Sequence, residues 1–287
     1  MTGRICIVTG ANSGIGKEIV RGLARKGATV VLACRSVERG EAARTEIEAD
    51  TGNRKLAVME LDLASHESVR AFVAAFAARY PKLHVLVNNA GIVAAKRTMT
   101  PDGIESTFAV NHVSHFLLTN LLLPTLRASA PSRVVIVSSE ASHGGRIDLD
   151  DLNGERRWGG FRAYMNSKLA NVLFAFELAR RLEGTGVTAN ALHPGGVRTN
   201  LAKGAGLFRV GMLLAWPFML PASKGADTAV YLASSPDVEE MSGKYFIRRR
   251  PAEPNPAAND PELARRLWTV SESSTEPRAG VPAGDPS

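Results

Sequence analysis

Tyr164 and Lys168 stand four positions apart, 168 − 164 = 4, near the head of the run "AYMNSKLANVLFAFELARRLEG". On a helix that spacing places both side chains on one face. A phenol titrates near 10 and is a poor proton donor or acceptor at neutral pH. An ammonium one turn away favours the phenolate and brings that value down, and a second positive charge held nearby adds to the effect. A tyrosine tuned in this way can give a proton to a substrate oxygen or take one from it. Alone, the spacing more often describes a packed tyrosine beside a surface lysine, so the rest of the chain has to decide.

The stretch "TGANSGIG", Thr9 to Gly16, follows an apolar run and opens a helical pattern. Gly10 permits a tight turn, Gly14 lets backbone approach a pyrophosphate, and Gly16 lets the helix lie close on the sheet. Asn12, Ser13 and Ile15 complete the backbone that would face such a ligand. The helix that follows offers unpaired N–H groups and a positive dipole end to phosphate. In a strand–turn–helix setting these glycines point to a dinucleotide. An oxidised nicotinamide would then be the second positive charge beside Tyr164.

Alternating elements are needed to hold those groups. Candidate strands are 5–10, 29–35, 55–63, 83–91, 133–139, 187–195 and 243–247, and between them lie segments with apolar residues at i, i+3 or i+4. Near-continuous apolar strands are buried on both faces, as in a parallel sheet. Strand and helix in alternation predict an α/β fold, a Rossmann-type doubly wound parallel sheet flanked by helices. No linker interrupts the pattern, so residues 1–271 are expected to form one NADP-binding domain. Residues 272–287, rich in Pro, Gly and Ser, are expected to be a disordered tail. Within the domain, 201–221 carries the apolar run "LFRVGMLLAWPFML" and is expected to be a substrate lid, the alternative being a docking surface for a membrane or a partner subunit.

Composition narrows the function classes. Of 287 residues, 45% are hydrophobic and 22% charged, which excludes wholesale disorder and fibrous repeats. The net charge of +7 is spread through runs such as "GERRW" and "FIRRR", interleaved with acids, so no nucleic-acid partner is expected. Cys6 and Cys34, the two cysteines, lie in apolar strands and read as inert buried thiols. The six histidines show no HExxH pattern, and a structural or pocket-lining role without metal is expected for all of them. No apolar segment precedes "RICIVTG" and no apolar run reaches 18 residues, so neither a signal peptide nor a membrane span is expected. The setting expected is cytoplasmic, and the assembly a homodimer or homotetramer.

The motifs taken together resemble the short-chain dehydrogenase/reductase family. T-G-x3-G-x-G is followed by "NNAG" (88–91), Asn111, Ser138–Ser139, "YMNSK" and "HPGGVRTN", over about residues 4–270. The resemblance implies a catalytic set of Asn111, Ser139, Tyr164 and Lys168. Ser139 would hydrogen-bond the substrate oxygen, and since neighbours on a strand face opposite ways, Ser138 would not. Asn111 would distort its helix and hold a water joined to the Lys168 ammonium. Lys168 would also bond the nicotinamide ribose. Asp62 and Leu63 match the position beside the adenine, and Asn88, Ala90 and Gly91 line the cofactor. Pro194, Gly195, Val197 and Thr199 match its contacts after the sixth strand.

Cofactor choice turns on the end of the second strand, where an acid would accept from the ribose diol of NAD. "LACRSVERG" has Cys34 and Arg35 there, and a guanidinium suits a 2′-phosphate. NADP(H) is therefore the expected cofactor, with Lys17 a candidate for further charge. The interval from Ser139 to Tyr164 is 25 positions and contains "RIDLDDLNGERRW". With "ACRS" and "DPELARRLW" it resembles the retinol dehydrogenase-like branch, including the WW-domain oxidoreductase. The expected activity is NADP(H)-dependent hydride transfer between a carbonyl and an alcohol on a hydrophobic small molecule. A soluble homologue acting on a carbonyl or secondary alcohol other than a membrane retinoid is expected. The alternative is a nucleotide-sensing protein of the same fold without turnover.

Overall fold

The computed structural model describes residues 1–197 and 220–276. Short apolar runs form β1 (Ile5–Thr9), β2 (Thr29–Cys34), β3 (Leu56–Glu60), β4 (Val85–Asn88), β5 (Ser132–Val137) and β6 (Val187–His193). With β7 (Tyr245–Ile247) and β8 (Arg250–Pro251) they make one eight-stranded sheet ordered 3-2-1-4-5-6-7-8. Every pairing is parallel except β7 with β8. The order reverses between β1 and β4. In such a sheet the crevice at the strand carboxyl ends of that switch point is the ligand position.

Side chains alternate across the sheet. Ile7 joins Val31, Leu86, Phe72, Phe116 and Trp268 on one face. Cys6 and Val8 join Ile19, Leu23, Leu32 and Phe246 on the other. Helices α1 (Gly14–Arg25), α2 (Val37–Thr51) and α7 (Ala222–Ser234) belong to the second layer, α1 presenting Ile19, Val20, Leu23 and Ala24. Helices α3 (His66–Arg79), α5 (Ser114–Ala128), α6 (Gly160–Arg181) and α8 (Pro261–Thr275) form the first. A short α4 (Ser106–Phe108) leads through a π-helical turn, Ala109–Val113, into α5.

Two expectations need revision, and a third lies mostly outside the described residues. Several strands end before their motifs: β4 stops at Asn88 because the Thr9 hydroxyl takes the N–H groups of Asn89 and Ala90, at 2.9 and 3.0 Å, and draws the chain off the sheet. The tail does not begin at 272. α8 runs to Thr275, with Ser271 and Thr275 buried and the Thr275 carbonyl capped by Arg70 Nη2 at 2.7 Å. An aromatic cluster seats that helix: Trp268 meets Phe116 at 4.8 Å and Phe174 at 5.8 Å. The expected lid lies outside the described residues except for Leu220 and Pro221. Leu220 N–H donates to the Gly196 carbonyl at 2.7 Å.

Candidate active site

The glycine turn joins β1 to α1 at the switch point. Gly10 and Gly14 have φ of +65° and +54°, and a Cβ on Gly10 would lie 3.0 Å from Ala90. A Cβ on Gly16 would lie 2.3 Å from the Gly10 carbonyl oxygen, so no side chain fits between turn and helix. Ser36, Ser65 and Asp260 each accept a backbone N–H as the N-cap of a helix, whereas Ser13, the N-cap of α1, accepts none. The first turn of α1 thus keeps its donors for an anion. Arg35 follows β2 and is exposed, and Asp62 and Leu63 follow β3. Asn88 ends β4, its amide donating to Thr119 Oγ1 at 2.8 Å. Pro194, Gly195 and Val197 follow β6, while Thr199 lies outside the described residues. All the described candidates cluster at the carboxyl ends of the strands.

The candidate acid–base group lies on α6. Tyr164 and Lys168 occupy successive turns of that helix, both buried, with the ammonium 5.7 Å from the phenol ring centre. The Ser139 side chain neighbours the Tyr164 phenol and favours its charged form. Ser138 turns the other way and donates to the Lys168 carbonyl at 2.7 Å, as strand alternation requires. Lys168 Nζ donates to the Val137 carbonyl at 3.0 Å. A Cβ on Gly91 would come within 3.4 Å of that Nζ and 3.3 Å of Asn111 Oδ1. "NNAG" therefore ends in a residue that leaves room between the loop and both polar groups.

Burial sets the proton affinities here. Desolvation pushes the Tyr164 phenol up, the neighbouring Ser139 side chain offsetting part of it, and pushes the Lys168 ammonium down to about 8. The expected lowering combined Lys168 with the charge of an oxidised nicotinamide; in the protein by itself the cost of burying a phenolate outweighs the help from Ser139. Asn111 lies in the π-turn. Its amide accepts from Ile92 N at 2.8 Å and donates to the Ile92 carbonyl at 3.0 Å and to Ser167 Oγ at 2.9 Å. The side chain thereby ties the loop after β4 to α6.

Residues 4–207 match the short chain dehydrogenase family. The chain is a short-chain dehydrogenase. It is 47% identical to human retinol dehydrogenase 12, over 94% of this chain and 86% of that one. Mouse retinol dehydrogenase 14 is 46% identical over 95% and 86%, and human retinol dehydrogenase 11 is 46% identical over 94% and 85%. The retinol dehydrogenase-like resemblance therefore holds. Among solved structures, an uncharacterized protein of Mycobacterium paratuberculosis superposes with TM-score 0.79 at 39% identity, covering 96% and 94% of the two chains. A short chain dehydrogenase of Escherichia coli CFT073, solved with NADPH, superposes at 0.67 with 28% identity, covering 86% and 96%.

In this dehydrogenase several site residues escape a reading of the motifs. Arg39 is one: with the Asn12 amide oxygen turned toward it, Nε and Nη2 donate at 3.2 Å each, which brings a second guanidinium to the glycine turn. Its place four residues after Arg35 was the available signal. Lys17, by contrast, points away and pairs with Glu46 of α2 at 2.9 Å, so its charge is already matched. Thr9 and His115 are two more, joined at 2.9 Å beneath the turn. Both cysteines are buried thiols, pushed up to about 12 at Cys6 and about 11 at Cys34.

Proposed function

We propose that this chain is an NADP(H)-dependent oxidoreductase that interconverts a carbonyl and an alcohol on a hydrophobic small molecule. The observation that carries the reading is Tyr164 buried on one face of α6 with the Lys168 ammonium 5.7 Å from its ring centre, and with the Ser139 side chain as a neighbour of the phenol. The bound nicotinamide would supply the hydride and, when oxidised, a positive charge that favours the phenolate. Tyr164 gives its proton to the substrate oxygen in reduction and takes it back in oxidation. Ser139 shares that oxygen and fixes its position. Lys168 has one N–H on the Val137 carbonyl, which leaves the others as the donors that would hold the nicotinamide ribose and serve the proton path.

Arg35 and Arg39 support NADP(H) over NAD, since a guanidinium matches a phosphate and offers the diol no acceptor. The solved short chain dehydrogenases with NADP from Shigella flexneri and NADPH from Escherichia coli agree with this choice. Retinol-like alcohols and aldehydes are the substrate class proposed, in place of the non-retinoid substrate expected from the sequence, from the retinol dehydrogenases above and from Phe161. That ring is 41% exposed and stacks on Tyr164 at 6.2 Å, an apolar wall beside the acid. No helix among the described residues is long and apolar enough to cross a membrane.

Tyr164→Phe is the test. It keeps the ring and removes the acid–base hydroxyl, so turnover of retinal or a ketone panel should fall by about 10²–10⁴-fold. NADPH affinity should stay within about threefold, a margin of less than ~1 kcal/mol. A variant that keeps most of its kcat refutes the mechanism. A wild type that binds NADPH and turns over nothing supports the nucleotide-sensing alternative instead.

A further inference from the structure

Beneath the crevice, the Thr9 hydroxyl makes more contacts than its single hydrogen can explain in any but one way. It accepts from Asn89 N at 2.9 Å and Ala90 N at 3.0 Å, which uses both lone pairs. Its own hydrogen has two candidate acceptors, His115 Nε2 at 2.9 Å and the Val87 carbonyl at 3.4 Å. If it went to Val87, an N–H on Nε2 would face an oxygen with no lone pair left. Thr9 therefore donates to Nε2. The remaining proton of the neutral imidazole sits on Nδ1, which lies 3.2 Å from the Asn111 carbonyl and donates to it.

That carbonyl belongs to the π-turn, where Ser114 N–H reaches back five residues to Ala109. Widened turns of this kind leave helix carbonyls with poorer partners, and a side-chain donor can supply one. His115 is fully buried and held near 3 by desolvation, with the Lys168 charge among the further causes, so it stays neutral through the working range.

We propose that His115 is a positioning residue: its Nδ1–H holds the Asn111 carbonyl, and with it the placement of Asn111 beside Lys168, while the Thr9 hydroxyl that seats the loop after β4 fixes which ring nitrogen carries that proton. The proposal rests on the dehydrogenase reading for its effect on rate, but not for its geometry. His115 touches neither substrate nor cofactor and acts through Asn111.

Two isosteric halves of the imidazole separate this role from packing. His115→Asn places an amide nitrogen near the Nδ1 position, and Asn120 in the same helix already donates to its i−4 carbonyl at 2.9 Å. His115→Gln reaches toward Thr9 and leaves the Asn111 carbonyl alone. The asparagine variant should keep kcat within threefold of wild type. The glutamine variant should lose at least tenfold in kcat, with substrate KM and NADPH dissociation constant within threefold. The Ile92 amide, which donates to Asn111 Oδ1, reports the same displacement without turnover: its exchange protection should fall about tenfold in the glutamine variant alone. Long-range ¹⁵N–¹H correlation on the wild type should show the proton on Nδ1. Equal losses in the two variants, unchanged Ile92 protection in both, or a proton on Nε2 would overturn the proposal. A wild type without any carbonyl turnover would remove the dehydrogenase reading, and the exchange and tautomer results would still judge His115.

Discussion

A fully buried ammonium is costly to the fold, and Lys168 gives that cost a measurable form. Its proton is held near 8 in the folded chain against 10.5 when unfolded. At ~1.36 kcal/mol per pH unit the difference is about 3 kcal/mol, charged against stability wherever both states are protonated. Lys168→Met removes the charge and leaves a flexible apolar chain of similar length. The Val137 carbonyl loses the Nζ bond but keeps Asn171 Nδ2 at 3.4 Å. Allowing for the lost charged hydrogen bond, typically ~1.5–3 kcal/mol, a net gain of about 0–1.5 kcal/mol remains near pH 7. That is at most about 6 °C in Tm.

The sign of the pH dependence is the sharper test. Between 8 and 10.5 the unfolded state holds more protons than the folded one, so wild-type stability rises with pH relative to the variant. The difference between the two proteins should be constant below 8, move by about 3 kcal/mol in favour of the wild type as pH climbs to 10.5, so that the wild type becomes the more stable, and stay flat beyond. Urea unfolding of both at pH 7 and pH 10, without nucleotide, measures it. Turnover should be lost in the same variant. A Lys168→Met protein that is less stable than wild type at pH 7, with a gap indifferent to pH, would mean that burial is not what lowers this lysine.

Cofactor preference should be tenfold to a hundredfold toward NADPH, since a charge-assisted contact contributes about 1.5–3 kcal/mol; Arg35→Asp with Arg39→Ala should narrow or invert it, read by titration of both nucleotides. If the double variant keeps the preference, both guanidiniums are surface groups only. Gly16→Ala should weaken NADPH binding at least tenfold and destabilise the fold by about 1–3 kcal/mol, because its Cβ would meet the Gly10 carbonyl oxygen at 2.3 Å. Calorimetry and thermal melts decide, and an unaffected variant would mean the turn relaxes freely.

Much of this site is legible in the sequence because it depends on local periodicity. Tyr164 and Lys168 share a face by helical spacing, Ser138 and Ser139 part by strand alternation, and Gly10, Gly14 and Gly16 follow from what backbone conformation and close approach demand. The parallel sheet is legible for the same reason, in runs such as "VVLAC" that admit no polar face. Boundaries are less so. The end of α8 reads as a polar tail, yet Ser271 binds His112 Nε2 at 2.9 Å and Arg70 caps Thr275, contacts from residues far away in the chain.

What escapes the sequence are groups whose role is fixed by counting hydrogen-bond donors and acceptors in three dimensions. Thr9 looks like the last residue of a strand, and His115 like one more histidine on an apolar helix. Only the simultaneous approach of Asn89, Ala90 and the imidazole to one oxygen determines where each proton goes. The signal that remains in one dimension is the spacing of His115 from Asn111, four residues, the reach of a side chain to the carbonyl one turn back. That spacing alone gives the contact no special role, since Asn120 makes the same one to the Phe116 carbonyl. What gives it a consequence at His115 is the carbonyl it reaches: Asn111 sits in the π-turn, and its side chain ties the loop after β4 to α6, so a hold on its backbone is a hold on that tie.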